Sequence, residues 1–125
     1  MSAQENKEIV RRYFEGRFND KDYSVVDQYL APDATPTPDE QKAWLDDLHG
    51  AWPDMHSSID HLIAEDDLVA VHFTMGGTLA REWEGLTPNG KTVEVHGMAL
   101  VWLKDGVIVK DDVNYTNLLE TMAQA

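Results

Sequence analysis

An α+β fold, with three N-terminal helices covering one face of a curved antiparallel sheet, follows from three features of the sequence. After Pro53 the apolar period changes from about 3.6 to about 2. Turn signals then punctuate the chain at Glu65-Asp66-Asp67, Pro88-Asn89-Gly90 and Asp105-Gly106. A length of 125 residues makes one domain, 1–125, with room for a single core and one internal cavity.

The elements follow in order. Ser2-Ala-Gln-Glu5 reads as a capping box, and Ile9, Val10, Tyr13 and Phe14 recur at helical spacing, so a first helix runs to about Gly16. Asp22 is placed to cap a short second helix with Val25, Val26, Tyr29 and Leu30 inward, and Ala31-Pro-Asp-Ala-Thr-Pro-Thr breaks it. Thr37-Pro38-Asp39-Glu40 combines an N-cap, proline at the first helical position and acids in the first turn. That start predicts a third helix with Trp44, Leu45 and Leu48 inward, ending at Gly50. Strands are expected near 55–64, 68–76, 78–83, 92–103 and 107–116, joined as antiparallel hairpins.

Composition narrows the function. Lys and Arg total 10 against 23 Asp and Glu, a formal net charge of −13, which repels nucleic acid and anionic membranes. Met98-Ala-Leu-Val-Trp-Leu103 is the longest apolar run, far short of the ~20 residues a spanning helix needs. With a polar N-terminus lacking an apolar signal core, the expectation is a cytoplasmic protein. The chain has no cysteine, which leaves oxygen and imidazole groups as the available chemistry.

A register can be written from the Asp105-Gly106 turn. If those residues form a two-residue hairpin loop, Lys104 faces Val107, and the pairs Trp102/Val109, Leu100/Asp111, Met98/Val113 and His96/Tyr115 share one sheet face. Asp111 is then the odd acid in an apolar row, where desolvation raises a carboxyl pKa toward the range of a general acid or base. His96 and Tyr115 would orient a bound carbonyl or hydroxyl, although such a pair is equally a satisfied core contact. Tyr13, Trp44, Trp52, Trp83, Trp102, Met98, Leu100, Val109 and Val113 supply an aromatic and flexible apolar lining for a ligand cavity. At Asp66-Asp67 the same reasoning sets His72, a further candidate lining residue, opposite His61. No third ligand at fitting spacing accompanies the two imidazoles, so no metal is expected.

From Trp52-Pro-Asp-Met55 onward the chain resembles the SnoaL-like polyketide cyclases and the related ester cyclases, within the nuclear transport factor 2-like superfamily. Ala64-Glu-Asp-Asp67 with Val69-Ala-Val71, Gly77-Thr-Leu79, Gly85-Leu-Thr-Pro-Asn-Gly90 and Asp105-Gly-Val-Ile-Val109 follow in the family's order. Glu8-Ile-Val-Arg-Arg-Tyr-Phe14 and Tyr29-Leu-Ala-Pro-Asp33 are similar to its first helices. The resemblance implies three helices packed in a cone against a strongly curved, mainly antiparallel sheet, the cystatin-like α+β roll, enclosing a hydrophobic pocket. It also implies a small apolar organic ligand, no cofactor, and a homodimer packed through sheet faces, with Val95, Ala99 and Val101 as the apolar residues to be covered. The cyclases close a ring by an aldol reaction with a pocket Asp on the last strand as acid and base. Aligned without gaps, that Asp falls on Val113, and the family's His after Gly-Thr is Leu79. Two readings follow: an acid–base enzyme of cyclase, isomerase or hydrolase type in which Asp111 serves, or a non-catalytic ligand-binding or dimerisation module.

Overall fold

A computed structural model describes residues 2–115. Helix α1 (Ala3–Phe18) opens with a reciprocal capping box, in which Ser2 Oγ accepts from Glu5 N–H and the Glu5 carboxylate accepts from Ser2 N–H. It runs one half-turn past Gly16, so that Arg17 and Phe18 join Val10, Tyr13 and Phe14 on the buried face. The short α2 (Ser24–Tyr29) has Tyr23 at its N-cap position, and Asp22 Oδ1 accepts from Ser24 N–H and Oγ–H beside it. Helix α3 (Pro38–Ala51) begins with the expected Thr37 cap, again reciprocal with Glu40, and runs through Gly50. Leu45 and Leu48 are fully buried.

Among the described residues, five strands, β1 (Leu30–Thr35), β2 (His56–Glu65), β3 (Leu68–Thr78), β4 (Thr92–Lys104) and β5 (Val107–Tyr115), form one sheet in the order β1-β5-β4-β3-β2. All pairings are antiparallel except β1 with β5. Strand β1 was expected as a helix-breaking segment. Its Pro32 lacks an N–H, a loss that an edge strand tolerates. Residues 78–83, expected as a strand, instead leave the sheet after Thr78, because the β3/β4 ladder ends at Thr78↔Thr92. The segment turns at Glu84-Gly85, with Trp83 and Leu86 exchanging both backbone hydrogen bonds. Residue 116, the last of the expected final strand, lies outside the described residues.

The core lies between the helices and the inner sheet face. Phe14 packs edge-on against Phe18 at 4.8 Å and tilted against Phe73 at 5.0 Å, while Val95, Ala99, Val101, Leu103 and Ile108 close the other side. Val95, Ala99 and Val101, expected on an exposed association face, are thus inside, at most 1% exposed. Met98 and Leu100 alternate with them on β4 and are exposed on the other sheet face, as is Ile63 on β2.

Among the described residues no helix is long and apolar enough to cross a membrane.

Candidate functional site

The Asp105-Gly106 loop forms as the sequence predicts, with positive φ at both residues and Lys104 opposite Val107. Two residues later a β-bulge intervenes. Leu103 pairs with Ile108 but Trp102 pairs with Lys110, so Val109 is the extra residue on β5. Beyond it each pair differs by one from the expected register: Val101 faces Asp111, Leu100 faces Asp112, Ala99 faces Val113, Met98 faces Asn114 and Gly97 faces Tyr115. Because side chains alternate, this one-residue slip exchanges the faces of β4 relative to Asp111. Asp111, Val113 and Tyr115 share the inner face with Val101 and Ala99. Trp102, Leu100, Met98 and His96 lie on the outer face, away from Asp111.

A cavity of about 590 Å³ opens above this end of β5. It is lined by Asp111, Val113, Asn114 and Tyr115 from β5, Arg17 from α1, Glu40, Gln41 and Trp44 from α3, and Pro36 and Glu84 from the flanking loops. Four residues named from the sequence, Asp111, Tyr115, Trp44 and Val113, therefore line one cavity. Tyr13 stands behind it, donating its hydroxyl to Gln41 Oε1 at 3.2 Å. Trp83 and Trp52 are buried next to it, Trp83 edge-on to Tyr115 at 5.3 Å and Trp52 edge-on to Trp83 at 5.6 Å. Val109 is half-buried at the bulge and does not line the cavity.

The remaining candidates are elsewhere. His96 hydrogen-bonds through Nδ1 to Thr74 Oγ1 at 2.9 Å and stacks on His72, ring centroids 6.1 Å apart, on the outer face. His72 pairs with His61 as the Asp66-Asp67 turn predicts. These imidazoles, with Met98, Leu100 and Trp102, belong to the outer surface. What parts them from Asp111 is the bulge at Val109, which gives no signal in apolar alternation.

What the sequence reading missed is the partner of Asp111. Arg17 is 1% exposed, and its Nη1 lies 3.4 Å from Asp111 Oδ2 and donates to Gln41 Oε1 at 2.6 Å. Its Nε donates to the Tyr13 carbonyl at 3.3 Å, and the guanidinium lies over the Tyr13 ring at 3.9 Å. A signal was available: Arg17 falls four residues after Tyr13 on the apolar stripe of α1, an odd cation as Asp111 is an odd acid. Burial pushes the Asp111 carboxyl above its usual range; Arg17 opposes the shift and the neighbouring Asp112 adds to it. Burial likewise raises the Tyr13 hydroxyl to about 12 and the Tyr115 hydroxyl further.

Residues 10–110 match the SnoaL-like domain family. The chain belongs to that family. Its α+β fold is the nuclear transport factor 2-like one, which the solved structures repeat. A SnoaL-like polyketide cyclase from Agrobacterium tumefaciens strain C58 is similar over all of both chains, with a TM-score of 0.86 at 12% identity. TsrD from Streptomyces laurentii is similar over all of this chain and 99% of its own, with a TM-score of 0.85 at 16% identity. Among curated protein sequences none matches. The match to this SnoaL-like domain ends one residue before Asp111.

Proposed function

We propose that this SnoaL-like domain takes a mid-sized, largely apolar organic molecule into the cavity beside β5 and performs cofactor-independent acid–base chemistry on it, with Asp111 as the proton-transfer group. One observation carries the reading: a buried carboxyl group, raised by desolvation, lines a cavity of about 590 Å³ whose other walls include Trp44 and Val113. Trp44 supplies a flat apolar surface for a ring, and Tyr115 an oxygen at the same end. The polyketide cyclase with this fold supports a carbon acid as substrate, since ring closure of a polyketide ester begins with loss of an α-proton.

Turnover of an enolisable β-keto ester, followed by NMR, tests the reading. Asp111→Asn keeps the volume and removes the proton acceptor, and is expected to lower turnover by roughly two orders of magnitude or more. Asp112→Asn, exposed on the other face, is expected to change it far less, since it removes only a minor contribution to the Asp111 shift. Equal behaviour of the two variants would sink the assignment. The buried Arg17–Asp111 pair favours a second reading, a binding module in which the pair is structural; there the wild-type protein binds the ester without exchanging its α-proton.

The partner we propose is a second copy, seated on the outer sheet face rather than on the residues first expected. Ile63, Met98 and Leu100 are 66%, 46% and 39% exposed there.

A further inference from the structure

The Arg17–Asp111 pair is made by one limb only. Nη1 meets Oδ2, whereas Arg17 Nη2 and Asp111 Oδ1, both buried, have no hydrogen-bond partner among the described residues. Every other donor group of the guanidinium is directed to protein: Nε to the Tyr13 carbonyl, Nη1 to Gln41 and Asp111. Leaving a buried charged donor and a buried acceptor unsatisfied is costly, and both residues line the cavity. A group that accepts from Nη2 and gives a proton to Oδ1 satisfies both. Glu40 and Glu84 line the same cavity, and the whole chain carries −13, so a ligand that is already anionic is repelled on entry.

Resting on the acid–base reading above, we propose that Arg17 is an oxyanion-holding residue, and that the cavity selects neutral compounds with one weakly acidic hydrogen whose removal leaves charge on oxygen. The proton passes to Asp111 Oδ1, which becomes neutral. The electron pair of the broken bond stays on the ligand, and its negative charge is opposed by Arg17, so the site keeps the same total charge throughout. A guanidinium held by Tyr13, Gln41 and the aromatic rings around it is preorganised for this and needs no reorientation as charge develops.

p-Nitrophenol is a suitable probe, because it is neutral when protonated and its anion absorbs separately. Binding is located by chemical-shift changes at Val113 and the Trp44 indole, and ionisation is read by absorbance. In the wild-type protein the bound probe is expected to be about tenfold more ionised than the free probe at the same pH, below the range in which the free probe titrates. Arg17→Gln should abolish that excess, while the uncharged isostere p-nitrotoluene still binds and reports an intact cavity. Asp111→Asn should retain the excess, because the positive charge remains. A wild-type bound probe that ionises no more readily than in water overturns the proposal without reference to any variant. In that case binding of p-nitrotoluene at Val113 and Trp44 leaves the pocket reading standing; if neither compound perturbs those residues, the pocket reading falls with it.

Discussion

Asp111 sits at the meeting point of two opposing effects, and their balance has a sign that stability measurements read. Burial disfavours its ionised form more than Arg17 favours it, so its folded-state pKa lies above the unfolded value. A carboxyl raised on folding binds its proton more tightly in the folded than in the unfolded state. Its contribution is intact below the unfolded value of about 4 and is lost as pH rises through the raised folded value. Asp111→Asn carries no such penalty. The difference in melting temperature between variant and wild type is therefore expected to move in the variant's favour as pH rises from about 4 to about 8 in thermal scans. A variant that loses stability increasingly as pH rises would show that the pairing with Arg17 outweighs desolvation. Such a site also illustrates why activity and stability oppose each other at buried acids: the group is retained at a cost to the fold.

At the scale of elements, one extra residue decides which side of the sheet each group serves. In a regular ladder Asp111 would stand opposite Leu100 and face outward with Met98 and Trp102; the bulge at Val109 turns it inward beneath α1. On the neighbouring β4, Gly97 pairs with Phe73, and a Cβ at Gly97 would run into the Phe73 ring. That ring is packed between Phe14 and Phe18 and has nowhere to go. Gly97→Ala is expected to cost about 1–3 kcal/mol by overpacking, measured by denaturant unfolding. Thr37→Ala, which removes the side-chain acceptor for the Glu40 amide at the start of α3, is expected to cost about 1 kcal/mol in the same assay. Since α3 carries Gln41 and Trp44 to the cavity, its loosened first turn should weaken ligand binding as well.

For the whole molecule, a net charge of −13 makes self-repulsion the dominant long-range term. Melting temperature should rise from low salt to 1 M chloride, since the Debye length is already about 10 Å at 0.1 M. An unchanged or falling value would count against it. Light scattering at micromolar concentration is expected to give twice the chain mass. Met98→Glu, which puts an acid on the exposed apolar face, should return the single-chain mass without altering the far-ultraviolet circular dichroism. Dimer formation that survives this change would place the contact elsewhere.

Local chemistry, written in consecutive residues, was legible in the sequence. The caps of α1 and α3 need only a hydroxyl and a Glu three residues apart, and the Asp105-Gly106 loop needs only two residues that accept positive φ. The three helices, the β2/β3 and β4/β5 hairpins and the oddness of Asp111 followed from such short-range patterns. Three things were settled only by tertiary structure. Leu30–Thr35 becomes a strand because β5 offers it an edge, and nothing within Leu-Ala-Pro-Asp-Ala-Thr requires that. Residues 78–83 alternate like a strand, but their ladder with β4 ends at Thr78. Val109 bulges, and the slip takes Asp111 off the outer face that His96, Met98, Leu100 and Trp102 keep and sets it against Arg17 from a helix more than ninety residues earlier in the chain. Apolar alternation fixes the spacing of side chains along one strand but carries no information about which residue of its neighbour stands opposite; pairing is a property of two strands together.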